Sequence, residues 1–108
     1  MSERESAEGC LAQIDEVVAM TRRMLEMAEQ GDWLALAELE PKRLEQLQGA
    51  LEGKVKAPEP VRERLMALQA LDRRILKLTV AARQNLTAEM SELQKGRKGA
   101  KAYRTSSR

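Results

Sequence analysis

The chain has 108 residues, enough for one core but not for a deep internal pocket. Histidine is absent and cysteine occurs once, which excludes structural zinc, Cys-His nucleophiles, histidine acid–base chemistry and an internal disulfide. Nineteen Lys and Arg stand against 17 Asp and Glu, a net charge of +2 that is not the footprint of a dedicated nucleic-acid binder.

Helix formers fill most positions, β-branched residues are few, and the only rings are Trp33 and Tyr103. The composition therefore predicts an all-α protein. No signal-peptide pattern opens the chain and no apolar run approaches the roughly 20 residues of a membrane span, so a cytoplasmic location is expected.

The first segment runs from about Arg4 to Gln30. Leu11, Ile14, Val18, Thr21, Leu25 and Ala28 alternate in steps of three and four, the mark of an amphipathic helix. Cys10, Val17, Met20, Met24 and Met27 widen its apolar arc to about 200°, beyond the ~100° of a surface helix, so two apolar neighbours are expected. Met20, Met24 and Met27 lie opposite Leu11 and suit either core packing or a self-association surface. Gly31 is placed for a left-handed cap, and Asp32 for capping the next helix.

The second segment extends from Trp33 to about Glu52 and carries Leu34, Leu36, Leu39, Leu44, Leu47 and Leu51. Pro41 interrupts it, and a proline inside a helix costs about 3 kcal/mol, so a kink or break is expected near Glu40. Trp33 reads either as a core anchor or as a binding hot spot. Gly49 and Gly53 weaken the far end, and Lys54 to Pro60 is expected to form a loop.

The third segment, from Pro60 to about Lys95, places Val61, Leu65, Leu68, Ile75, Ala82, Leu86 and Leu93 on one line, broadened by Leu71, Leu76 and Leu78. With short connections the expected fold is an antiparallel three-helix bundle over residues 1–96, followed by a basic, flexible, at most partly helical tail over 97–108. Within the tail Arg97, Lys98, Lys101, Tyr103 and Arg104 form a cluster that is either simply solvated or regulatory.

Asp72 lies within about 20° of Val61 on the helical wheel, in the middle of the apolar face. A carboxylate there is costly unless partnered, so it is either partly solvated or paired, with Arg43 as partner, or it faces a groove that receives a ligand helix. Thr79 interrupts the same line. A groove on this face would be lined by Leu68, Leu71, Asp72, Ile75, Leu78, Thr79 and Ala82, with Leu36 and Leu47 opposite.

Gly31-Asp32-Trp33, then Leu39-Glu40 and Arg43, then Leu71-Asp72 with Ile75, then Gly96-Arg97-Lys98 and Ala102-Tyr103 together resemble the FliT-type flagellar export chaperones over roughly Ile14 to Tyr103. The resemblance implies a cytoplasmic, non-enzymatic chaperone without cofactors, which holds the filament cap protein by its C-terminal helical segment and delivers it to the membrane export gate. It further implies, in some bacteria, contact with the export ATPase and a flagellar transcription activator, a C-terminal segment able to lie over the client groove, and no direct contact with nucleic acid. A weak homodimer is compatible with this reading. The alternatives are a self-associating structural module, a small nucleic-acid-associated regulator using the basic tail, and a chaperone for another secreted helical client.

Overall fold

A computed structural model describes the backbone over residues 3–52 and 58–106, and side chains over 8–52 and 59–96. Three α-helices follow one another: α1 Glu3–Gln30, α2 Trp33–Ala50 and α3 Pro58–Ser106, with no strand among the described residues. The all-α, three-helix expectation holds.

The α1–α2 turn forms as its residues dictate. Gly31 takes φ 75°, a conformation that a Cβ would strain. Its N–H donates to the Ala28 carbonyl at 3.2 Å while the Asp32 N–H donates to that of Met27 at 2.8 Å, which satisfies two carbonyls at the end of α1 in a Schellman arrangement. Asp32 then caps α2, its Oδ1 accepting from the Ala35 N–H at 3.2 Å.

Three boundaries differ from the periodicity. Pro41 does not break α2, which is helical on both sides of it. Pro41 is exposed, and the Leu36, Leu39 and Leu47 side chains that flank it along the helix pack into the core and carry the turn across the missing hydrogen bond. At the start of α3, Pro58 and Pro60 lie inside the first turn rather than in a loop, because N–H groups there have no intrahelical acceptor to lose. Gly53 to Ala57, the rest of the expected loop, lie outside the described residues. At the far end α3 continues past Gly96 to Ser106, so the tail for which the sequence allows partial helix is helical to that point. Gly96 and Gly99 each cost about 1 kcal/mol relative to alanine, which weakens a helix without stopping it, and no proline follows.

The chain divides into two compact units, Met1–Leu78 and Thr79–Arg108. In the first, three layers of apolar side chains stack along the bundle. Ile14, Ala50 and Val61 form one, flanked by Cys10, Leu11, Leu51 and Leu65. Val17, Val18 and Leu68 form the next, flanked by Leu47, Leu65 and Leu71. Met24, Leu25 and Ile75 form the third, flanked by Leu36, Leu39, Leu71 and Leu78. Residue numbers rise along the layers in α1 and α3 and fall in α2, so α2 is antiparallel to both. The wide apolar arc of α1 is used up by contact with two helices.

In the second unit Val80, Leu86, Met90 and Leu93 are exposed. Leu86 and Leu93 continue the wheel line of Val61 without sharing its burial. At 49 residues α3 is longer than the 28-residue α1 and the 18-residue α2. No described helix is long and apolar enough to cross a membrane.

Pro41→Ala restores a backbone donor at an exposed site and is expected to stabilise the bundle by about 1–3 kcal/mol, read as a higher urea midpoint. An unchanged midpoint would mean that α2 has already relaxed around the proline.

Candidate functional site

The face shared by α2 and α3 is organised by one guanidinium. Arg43 sits two residues beyond Pro41, and its side chain is only 14% exposed. Its Nη1 donates to Asp72 Oδ1 of α3 at 2.5 Å and to Thr21 Oγ1 of α1 at 3.3 Å. Its Nη2 donates to both carboxylate oxygens of Glu40, at 2.8 and 3.0 Å. Thr21 is fully buried, and its hydroxyl donates a hydrogen bond to the Val17 carbonyl at 2.8 Å. Among the described residues no buried side-chain nitrogen or oxygen lacks a partner.

Burial alone would push the Arg43 cation toward its neutral form, but hydrogen bonds and charge attraction from Glu40 and Asp72 outweigh that and leave its pKa above the ordinary guanidinium value. A group whose folded pKa is raised keeps its stabilising contribution below the unfolded pKa and loses it only as pH rises through the folded one. Arg43 is therefore charged, and the clasp closed from its side, at every pH where proteins are ordinarily handled.

Asp72 and Glu40 keep 44% and 41% of their side chains in solvent, so the clasp is buried on the arginine side and open on the carboxylate side. The reading of Asp72 as paired with Arg43 and partly solvated is the one that the structure shows. One turn beyond each carboxylate stands an exposed leucine, Leu44 on α2 at 49% and Leu76 on α3 at 61%. Carboxylate and leucine on each helix rim the seam, with Arg43 as its floor.

The other residues singled out from the sequence divide by burial. Leu68 and Ile75 are 5% and 8% exposed and packed on α1, so a client reaches them only if the bundle opens. Leu36, Leu47, Leu71 and Leu78 are half-buried against the same core. Thr79 and Ala82 are half-buried in the second unit. Met20 and Met24, at 8% and 1% exposed, are committed to the interior, while Met27 is half-buried. Trp33, half-buried, is the first residue of α2. The side chains of Arg97, Lys98, Lys101 and Tyr103 lie outside the described residues.

Leu44 and Leu76 escape a groove read from one apolar line because both lie off it. The available signal was the distance along the helix from Glu40 and Asp72, four residues in each case. Two further ties fix the helices: Arg64 Nε donates to Asp15 Oδ1 at 2.6 Å, and Gln46 Nε2 donates to Glu16 Oε2 at 2.5 Å. Among the described residues no group of three His, Cys, Asp or Glu is placed to hold a metal ion.

The family model described as flagellar protein FliT matches residues 11–105. No curated protein and no solved structure matches the chain.

Arg43→Ala is expected to cost about 1.5–3 kcal/mol, the range for hydrogen bonds to charged groups, because Asp72 and Glu40 regain water while buried Thr21 loses a donor. In a double-mutant cycle with Asp72→Ala, urea unfolding followed by Trp33 fluorescence is expected to give a coupling of about 0.5–2 kcal/mol. Additive losses would show that the pair is a contact without mutual stabilisation.

Proposed function

The chain belongs to the FliT family of flagellar export chaperones, and from that premise we propose that it is a cytoplasmic chaperone for the filament cap protein. It holds the C-terminal helical segment of that client until delivery to the membrane export gate. The observation that carries this reading is the family match over residues 11–105, which takes in all three helices.

The seam between α2 and α3 is the proposed client site. Its support is physical: exposed Leu44 and Leu76 offer apolar anchors, and Glu40 and Asp72 offer acceptors beside them. An amphipathic helix laid along the seam would set its apolar side on the leucines. Leu36, Leu47, Leu71 and Leu78, half-buried against the core, remain proposed members of the client groove. Thr79 and Ala82 remain proposed client contacts of the second unit taken by itself, while Leu68 and Ile75 serve as buried support of the first.

An unassembled cap subunit has an apolar terminal segment that would otherwise self-associate, so covering it keeps the subunit available for export. Burying about 500 Å² of apolar surface at ~25 cal/mol per Å² gives about 12 kcal/mol gross. Ordering and association consume much of that, which leaves room for the micromolar affinity, about 8 kcal/mol, that suits a client destined for release.

Calorimetric titration with the C-terminal helical peptide of the filament cap protein tests the proposal. Binding at 1:1 stoichiometry is expected, weakened about tenfold or more by Leu44→Glu or Leu76→Glu, changes that both exposed sites accept without unfolding. Undiminished binding by both folded variants would move the site elsewhere, and no binding by the parent chain would reject this client.

A further inference from the structure

Between Arg64 and Leu78, α3 carries Arg64, Arg73, Arg74 and Lys77 against a single carboxylate, Asp72. That carboxylate is occupied by Arg43. Arg64 is bound to Asp15 and Arg74 lies 3.9 Å from Glu29, so these two cations are spent on α1. Arg73 and Lys77, with Arg62 one turn before Met66, are exposed and make no hydrogen bond or ion pair among the described residues.

The three uncommitted cations share one face. Arg62, Met66, Ala70, Arg73 and Lys77 succeed one another in steps of four, four, three and four, inside an arc of about 80° and over a length of about 22 Å. Met66 is 59% exposed and Ala70 is exposed beside it, so cations at both ends enclose an apolar side chain and a small one in the middle. Glu59 and Glu63 stand near the arc only in the opening turns of the helix, where negative charge faces the free N–H groups.

We propose that this outward face of α3 docks an acidic amphipathic helix of a protein partner. Carboxylates three turns apart on such a helix reach Arg62 and Arg73, whose own separation is 11 residues, while an apolar side chain between them rests on Met66. Ala70 lets the two backbones approach closely. A lipid surface fits less well, because three cations at about 1 kcal/mol each and one exposed methionine do not make a membrane-binding helix. A nucleic-acid duplex would draw on the charges alone and leave Met66 uncovered.

The face is distinct from the α2–α3 seam, and this proposal stands whether or not the cap protein is the client. The test is a titration of the ¹⁵N-labelled full chain with an alanine-based helical peptide bearing glutamates three turns apart and leucines between them. Its lysine-for-glutamate counterpart, phosphatidylserine vesicles and a short DNA duplex serve as comparisons. Amide shifts confined to Arg62 through Lys77 are expected. Affinity should fall steeply with salt and about tenfold or more in Arg73→Glu/Lys77→Glu. That variant, shown folded by circular dichroism, should bind the cap-protein peptide as the parent chain does, which separates failure of this proposal from failure of the client site. Equal binding by the charge-reversed variant, equal binding of the lysine peptide, or tighter binding of vesicles or duplex at this face would overturn the proposal.

Discussion

A guanidinium taken out of water must be met by acceptors on all sides, and in this bundle one arginine imposes that demand on three helices at once. Arg43 of α2 is satisfied by Thr21 from α1, Asp72 from α3 and Glu40 from its own helix. The layers above and below are built from Leu, Val, Ile, Met and Ala, whose non-directional contacts tolerate sliding of one helix past another. A planar guanidinium held at both Nη1 and Nη2 does not tolerate it. With no phenylalanine in the chain to give the core a shape-specific key, the polar clasp supplies the register that the apolar layers leave loose.

The same clasp shapes the surface. Drawing Arg43 inward leaves Glu40 and Asp72 at the rim as acceptors, and Leu44 and Leu76 one turn beyond them in solvent. What aligns α2 with α3 also sets the spacing of the seam proposed to receive a client. A chaperone of this kind needs a rigid frame under an adaptable surface. Core layers and clasp form the frame, and the exposed leucine side chains at the rim can adapt.

Much of this was legible in the sequence, and the failures have physical causes. Gly31 and Asp32 announced the α1–α2 turn because glycine takes the left-handed cap conformation without steric cost and an aspartate after it can accept from the next helix's free amides. Asp72 on an apolar line pointed to a cation, and Arg43 answered it. Pro41 suggested a break because propensity is local, whereas packing of the leucines on either side decides the outcome. The end of α3 was misplaced for a related reason: glycine weakens a helix without terminating it. Periodicity found the apolar faces but not which neighbour covers each, so Leu68 and Ile75 appeared as candidates for a groove and prove to be interior. Arg64 with Asp15 and Gln46 with Glu16 are pairings between helices that no local pattern contains.

The clasp-backed seam is the proposed client site. Chemical-shift mapping of the full chain against the cap protein's C-terminal segment tests it most directly. The expected result is a contiguous set of perturbations on Glu40, Arg43, Leu44, Asp72 and Leu76, with the Arg43 side-chain NεH among them and the Arg62–Lys77 face unmoved. Perturbations that leave this set still and gather on Leu86, Met90 and Leu93 would contradict it, and would assign client binding to the exposed distal half of α3 instead.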